Sequence, residues 1–192
     1  RKQIFQLLLL LPIALALACG PHEVYSSEDA GWNVRFPAEY KRMTPQEIAA
    51  IETKGKSAIQ GELEPVPYTR LLFVKKGDTS GLTSTLTPYS DNEQSVAENQ
   101  LQMAQMLKET YGRYGIPAQI ERESMLLDGL AFDVLHVTLL SKDSKSVVSR
   151  QMILERLIEK SNILTIALYF RSDQAKQELL SIANSSKFSK RN

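Results

Sequence analysis

His136 is the side chain in the body of this sequence whose chemistry most directly suggests catalysis. An imidazole titrates near neutral pH, so with a carboxylate to orient it and a hydroxyl beside it His136 could serve as the general base of a hydrolase. Asp133 is a nearby carboxylate, but it lies three residues away on a predicted strand and therefore points to the opposite face. His22 is the one other histidine, so no histidine pair is available for a metal site. We interpret His136 as a residue of the sheet core or sheet face, with hydrolysis as the alternative.

Two glycine-containing stretches have the outline of functional loops. Gly77-Asp78-Thr79-Ser80-Gly81 resembles a nucleophile elbow, but that motif requires a strand followed by a helix. The flanking residues here predict two strands, so we interpret the stretch as a hairpin turn. Gly112-Arg113-Tyr114-Gly115 follows a predicted helix, which argues against a strand-to-helix dinucleotide turn.

Two further groups of side chains could bind a ligand. Arg150 and Arg156 share one face of a predicted strand and could form a cationic patch. The more ordinary interpretation is a solvated sheet margin, or pairing with Glu121 and Glu123 across the sheet. An apolar pocket could be lined by residues of a predicted helix, although a helix that packs on a sheet needs such residues anyway: Met103, Met106, Tyr111 and Tyr114. We assign no catalytic residue, cofactor or metal site, and we predict that the chain is not an enzyme.

Cys19 is the single cysteine of the sequence. One cysteine excludes an intramolecular disulfide, a redox-active cysteine pair and a zinc site with several cysteine ligands. It follows the basic pair Arg1-Lys2 and the apolar run Ile4–Leu17, which is shorter than the ~20 residues that span a bilayer core. This pattern is typical of a secretory signal peptide.

The residues Leu15-Ala16-Leu17-Ala18-Cys19 resemble the bacterial lipobox. The resemblance implies cleavage between Ala18 and Cys19, a diacylglycerol on the sulfur and a fatty acid on the new amine. Two or three acyl chains anchor a protein stably, whereas one binds only marginally. Ala16-Leu17-Ala18 also fits the general signal peptidase, which would leave Cys19 unmodified.

We therefore predict a lipoprotein signal peptide over residues 1–18, a lipidated Cys19 with a tether over 19–23 that includes His22, and one α/β domain over 24–188. The membrane is then a partner through acylated Cys19. Because Gly20 rather than Asp follows the cysteine, the lipobox resemblance places the protein in a bacterial cell envelope, at the periplasmic face of the outer membrane if there is one. The 23 basic and 22 acidic residues nearly balance, so there is no electrostatic reason to expect nucleic acid as a partner.

The pattern of apolar residues predicts an α+β fold with an antiparallel sheet that ends in a four-strand meander. The predicted meander strands are Gln119–Leu127, Leu130–Leu140, Val147–Ile158 and Ile163–Arg171. Two hairpins are predicted before it, at Val24–Ser26 with Trp32–Phe36 and at Tyr68–Lys75 with Leu82–Tyr89. Helices are predicted from Thr44-Pro45 to the region of Gly55–Gly61, from Asp91 or Ser95 to about Tyr114, and from Asp173 to about Ser185, with Phe188 pinning the tail.

This order of elements resembles the Mog1/PsbP-like fold. The resemblance is carried by Gly31-Trp32-Asn33-Val34-Arg35-Phe36-Pro37, by the long helix and meander, and by Leu179-Leu180-Ser181-Ile182-Ala183-Asn184-Ser185, and it covers most of residues 23–188. It implies an α/β/α sandwich of the kind found in PsbP proteins and DcrB-type envelope lipoproteins, which act as binding or assembly factors. We expect a non-enzymatic, lipid-anchored module with a protein partner in the envelope. A small-ligand or lipid-binding protein, with a cleft between the sheet and the long helix, is the alternative; the ligand is unknown.

Overall fold

The computed structural model describes residues 21–58, 67–89, 96–159 and 161–189. The predicted signal peptide, the cleavage site at Ala18 and the predicted lipidation site at Cys19 lie outside these residues, as do Asp91 and Ser95, the two predicted starts of the long helix. Of the helices in the described parts of the chain, none is long and apolar enough to cross a membrane.

Ten strands and three helices occur in the described residues. In chain order they are β1 (His22–Ser27), β2 (Trp32–Pro37), β3 (Lys41–Arg42), α1 (Pro45–Ala58), β4 (Thr69–Lys76), β5 (Ser80–Pro88), α2 (Val96–Arg113), β6 (Ala118–Leu127), β7 (Leu130–Leu140), β8 (Val147–Ile158), β9 (Asn162–Phe170), α3 (Asp173–Asn184) and β10 (Lys187–Phe188).

Seven of the strands form one antiparallel sheet in the order β3-β4-β5-β9-β8-β7-β6. The predicted meander is confirmed as β6 to β9. Its first turn is Asp128-Gly129, where both residues have positive φ (50° and 78°) as a type I′ hairpin requires. The remaining strands form a small sheet in the order β1-β2-β10.

One face of the large sheet carries the main core. Leu82, Leu154 and Ile166 are completely buried there and share one apolar cluster with residues of the small sheet and of α3, including Trp32, Phe36 and Leu179. The single tryptophan donates its indole N–H to Ser186 Oγ over 3.0 Å. The α+β sandwich that the sequence predicts is therefore confirmed.

The opposite face of the large sheet is covered in part by α2, which contacts β6, β7 and β8. A second apolar cluster holds it there, in which Met103, Leu107 and Tyr111 of α2 pack against sheet residues such as Leu135 and Ile153. These helix residues are spaced four apart, so they lie on one side of the helix.

Local capping signals place the helix starts that the structure describes. At α1, the Glu47 carboxylate accepts from Thr44 N (2.8 Å) and the Glu47 amide donates to Thr44 Oγ1 (3.3 Å), a capping box. At α3, the Ser172 hydroxyl accepts from Ala175 N over 3.2 Å. Helix α1 continues through Gly55 to Ala58, within the region where its end is predicted.

Two strands, β1 and β5, begin two residues earlier than predicted. Strand β1 begins at His22, so His22 and Glu23 belong to the sheet and not to the tether; His22 lies opposite Pro37, and the Pro21 carbonyl accepts from Ala38 N over 3.1 Å. The second hairpin is tighter than predicted, since pairing continues to Lys76 opposite Ser80.

Candidate binding site

Strands β5 and β9 lie between α1 and α2 on the second face of the large sheet. Helix α1 packs beside β4, where Ile48 and Glu52 line a cavity with Phe73 and Arg70, and α2 lies over the strands beyond β9. The floor between the helices consists of half-buried side chains of small or polar type: Thr83, Thr85, Thr165 and Ala167. We call this surface the central groove.

A line of polar residues crosses this face from one helix to the other. The strand register places each member directly opposite the next, so all of them point to the same side, with Cβ atoms of neighbours about 4.5–5.5 Å apart. We call this set the polar row: Arg70, Thr85, Thr165, Glu155, Asp133 and Ser124.

Glu155 is the most buried member of the polar row, with 5% of its surface exposed. Burial raises the pKa of its carboxyl because the charged form loses water, and the neighbouring Asp133 carboxylate raises it further. The Thr165 hydroxyl donates to Glu155 Oε1 over 3.2 Å and acts to lower the pKa, without reversing the net direction. The site therefore holds a carboxyl group that keeps its proton more strongly than a solvated glutamate.

Gln100 of α2 is fully buried above this carboxyl group. Its amide acts to lower the pKa of Glu155, so the two groups are neighbours, yet neither Oε1 nor Nε2 of Gln100 has a hydrogen-bond partner of normal geometry among the described residues. A buried polar atom without a partner costs about 1–3 kcal/mol. A buried amide oxygen without a partner, beside a buried acid, is the arrangement expected where a bound group completes the network.

The other end of the polar row carries the positive charge of Arg70, whose guanidinium has several partners. Arg70 forms an ion pair with Glu52 of α1 (Nη2 to Oε1, 2.5 Å) and donates to Thr83 Oγ1 over 2.9 Å. Its guanidinium also stacks over the rings of Tyr68 and Phe73, at 5.4 and 5.7 Å from their centroids. Arg70 therefore fixes α1 against the sheet.

His136 lies on the opposite face of the sheet from the polar row, half-buried, as a sheet-face residue. It is opposite Met152 in the register, while Asp133 is opposite Glu155, so the two side chains diverge as their spacing predicts. The carboxylate beside the imidazole is Glu123 of β6, with Nε2 and Oε1 2.5 Å apart. The structure thus pairs His136 with a carboxylate that is 52% exposed.

The predicted pairing of Arg150 and Arg156 with Glu121 and Glu123 is wrong. Arg150 pairs with Asp173 at the start of α3 (2.6 Å), and Arg156 donates to the Ala131 carbonyl (2.7 Å). The physical reason is the strand order: β7 lies between β8 and β6, so the arginines and the two glutamates are not on neighbouring strands.

The remaining predicted groups also have definite positions. Residues 77–79 form the hairpin turn between β4 and β5, with Gly77 at φ 61°, and Gly115 (φ 67°) follows the end of α2. Met103 and Tyr111 pack into the second core cluster, whereas Met106 and Tyr114 are 38% and 47% exposed and point away from it. The structure does not bring these four residues into one pocket. Clusters of three or more potential metal ligands are absent from the described residues.

Gln100 and Glu155 are the candidate residues that sequence reasoning missed. A signal was present for each: Gln100 continues the inward stripe of Met103, Leu107 and Tyr111 at helical spacing, and Glu155 interrupts the apolar residues of β8. Neither residue by itself indicates a site in the sequence, and the candidate site arises because the fold brings the two side chains together.

Comparison with solved structures shows a PsbP-like fold. The chain is similar to the solution structure of cyanobacterial PsbP (CyanoP) from Synechocystis sp. PCC 6803, with a TM-score of 0.60, 10% identity, and 91% of this chain and 96% of that chain covered. A crystal structure of a protein of unknown function from Pseudomonas aeruginosa, PA94, described as a putative regulator, has 12% identity over 84% of this chain and 92% of that one. Its TM-score of 0.32 carries no argument. No protein-family model and no curated protein matches the sequence. At such low sequence identity, the structural similarity to CyanoP establishes the fold and nothing about function.

Proposed function

We propose that this chain is a non-enzymatic binding or assembly module, held at the membrane of a bacterial cell envelope by acyl groups on Cys19. The observation that carries the proposal is the position of the first strand. The Pro21 carbonyl is already hydrogen-bonded to Ala38, and β1 begins at His22. The folded body therefore starts immediately after the lipobox-like sequence.

This arrangement limits how far the body can move from its anchor. Three residue steps separate Cys19 from His22, which an extended chain spans in at most about 11 Å. Lipid on Cys19 would keep the edge formed by Pro21 and by the chain around Ala38 close to the bilayer surface. A partner would then be bound within a short distance of the membrane, as an assembly factor requires.

The non-enzymatic half of the proposal rests on the fold and on the surroundings of His136. The PsbP-like fold is the one that the Mog1/PsbP-like resemblance implied, and that resemblance implies binding or assembly factors. The partner of His136 is an exposed carboxylate on the edge strand β6, on the face away from the central groove. A hydrolase would require a nucleophile and an oxyanion site around this imidazole. We expect His136→Gln to retain full function in the cell.

The anchor is tested by the mass of the processed protein. Purified from membranes, the wild type is expected to begin at Cys19 and to carry two or three acyl chains, and Cys19→Ser is expected to lose them and to leave the membrane fraction. Ser26→Ala, a change in β1 that leaves Cys19 intact, serves as the control. A wild-type protein whose first residue carries no acyl group would refute the anchored half.

Partner binding is tested by crosslinking in the intact envelope followed by mass spectrometry. The anchored protein is expected to crosslink to a defined envelope protein, and the crosslink is expected to disappear in Cys19→Ser. Substrate turnover that depends on His136 would refute the non-enzymatic half.

A second function, the binding of a small ligand, is favoured by one observation. The unpartnered amide of Gln100 and the buried acid Glu155 lie together at one side of the central groove. Native mass spectrometry separates the two: a co-purifying small molecule that is lost in Glu155→Gln supports ligand binding, and a ligand-free protein that crosslinks to a partner supports assembly.

A further inference from the structure

We propose that the α2 end of the central groove is a binding site for a primary ammonium group, formed by Glu155, Asp133, Thr165 and Gln100. The inference deepens the second function above, and it rests on the chain being a binding module. It identifies the chemical class of the ligand as an organic cation that ends in –NH₃⁺, such as an alkylamine or a lysine side chain.

The charge distribution favours a cation. Glu155 and Asp133 are directly opposite each other on β8 and β7, so two carboxyl groups face the same space. The positive member of the polar row, Arg70, is three strands away from Glu155, about 14 Å at the usual strand spacing. Arg70 is also paired with Glu52, so it does not neutralise the acidic end of the polar row.

The polar groups at this end match the hydrogen-bonding capacity of an ammonium group. An ammonium has three donors and no acceptor. Three neighbouring residues offer an acceptor here: Glu155 its carboxylate, Gln100 its Oε1, which has no partner in the described structure, and Thr165 its hydroxyl oxygen. Loss of water from a buried cation is offset only when an anion and hydrogen-bond acceptors replace it, and the site supplies both.

The ligand can reach the site from the central groove. Glu155 and Gln100 are buried, whereas Thr165 and Thr85, the next two members of the polar row, are half-buried. We expect an ammonium group to enter from this less buried side, with its carbon chain over Thr165 and Thr85. A divalent metal is a poorer match, because the described residues contain no group of three or more metal-ligating side chains.

Binding is expected to depend on pH through Glu155. The groups that face its carboxyl are Asp133 on β7, Thr165 on β9 and Gln100 on α2. Burial and Asp133 raise the pKa of Glu155, and a bound cation stabilises the ionised form, so binding releases a proton. The affinity should rise as the pH increases and Glu155 ionises.

The experiment uses the processed full chain, with n-butylammonium chloride as the probe, followed by NMR titration and by thermal unfolding. The wild type is expected to show saturable binding that is stronger at pH 8 than at pH 5. Matched probes are n-butanol, which has the same chain without the charge, and sodium chloride at equal ionic strength; neither should bind.

Two variants locate the site. Glu155→Gln keeps the shape of the side chain and is expected to weaken n-butylammonium binding roughly tenfold or more, as the loss of a charged hydrogen bond predicts. Glu123→Gln removes an exposed carboxylate on the other face of the sheet and should leave the affinity unchanged.

Four outcomes would overturn the inference: no binding of n-butylammonium, equal binding of n-butanol, unchanged affinity in Glu155→Gln, or saturable binding of calcium in place of n-butylammonium. These outcomes are independent of the anchor. If n-butylammonium fails to bind while Cys19→Ser still releases the protein from the membrane, the inference fails and the envelope function stands.

Discussion

Replacing Glu155 by glutamine is expected to stabilise the folded protein at neutral pH, although it changes one of the most buried side chains of the sheet. The wild-type carboxyl is 5% exposed, and burial is the main cause of its raised pKa. At a pH above the pKa that this carboxyl has in the unfolded chain, its ionisation therefore lowers the free energy of unfolding. Glutamine removes the charge and keeps the volume.

The size of the effect follows from the neighbours. Glutamine Oε1 can still accept from the Thr165 hydroxyl, now 3.2 Å from Glu155 Oε1, and the neutral amide remains beside the polar side chain of Gln100. Neutral replacements of buried ionic groups are often neutral or stabilising by ~1–4 kcal/mol. Because one polar group is exchanged for another, we expect the lower part of that range, about 1–2 kcal/mol. For a domain of this size that raises Tm by about 2–8 °C.

The pH dependence of stability follows from the direction of the pKa shift. A carboxyl group whose pKa is raised on folding contributes stability that is fully present below the unfolded pKa, near 4.3 for glutamate, and is lost as the pH rises through the folded pKa. The advantage of Glu155→Gln should therefore be absent below about pH 4 and grow above it. Wild-type stability should fall over the same range to the extent that Glu155 contributes.

Urea unfolding at several pH values between 4 and 8 measures this difference. The midpoint should shift with no change in the slope m, since the same surface is exposed on unfolding. Glu123→Gln is the matched control, with an expected effect within about 1 kcal/mol at every pH because its pair with His136 is partly exposed. A Glu155→Gln protein that is less stable than the wild type at pH 7, or equally shifted at pH 4 and pH 7, would refute the reasoning.

Three further predictions concern the packing that holds the two faces of the sheet. Gly81→Ala should destabilise by about 1–3 kcal/mol in urea unfolding, because a Cβ there would lie 2.2 Å from the Tyr169 hydroxyl and 2.6 Å from the Val74 carbonyl oxygen. The control is Gly112→Ala in α2, which has open space around its Cβ and should be neutral or slightly stabilising. Equal effects of the two substitutions would contradict the predicted clash at Gly81. Burial raises the pKa of Tyr169 to about 12, so stability should be lost as the pH rises from 10 to 12, and Tyr169→Phe should reduce this loss and remove a late-ionising group from the absorbance titration. Ser186→Ala leaves the indole N–H of Trp32 without its acceptor and should lower the free energy of unfolding by about 1–3 kcal/mol. Unfolding can be monitored by the fluorescence of the single tryptophan, and a fully stable variant would show that the hydrogen bond is dispensable.

Elements with local signals were predictable from the sequence because their determinants lie within a few residues. The Asp128-Gly129 turn needs two positive φ angles that this pair adopts readily, and the residues between turns alternate or run apolar as strands do. The starts of α1 and α3 follow from side chains that cap backbone amides three residues away. His136 and Asp133 diverge because successive residues of a strand alternate between faces, which is also a local property.

The candidate site was decided by tertiary structure, because its parts come from separate elements. Strand order was the first decision: β9 inserts beside β5 and β7 separates β8 from β6, which is why the predicted pairing of Arg150 and Arg156 with Glu121 and Glu123 fails. Register was the second, since a shift of one residue would turn Glu155 to the other face and away from Asp133 and Thr165.

The docking of α2 was the third decision. Sequence spacing puts Gln100 on the inward side of this helix, but only the packing of the helix over β8 brings its amide to Glu155. The sequence by itself therefore determined the alternation of strands, turns and helices and the solitary cysteine that a lipid anchor would use. Folding decided which polar side chains meet, because Glu155 contacts Thr165, 10 residues away on the next strand, and Gln100, 55 residues away on a helix, and no local pattern encodes both pairings.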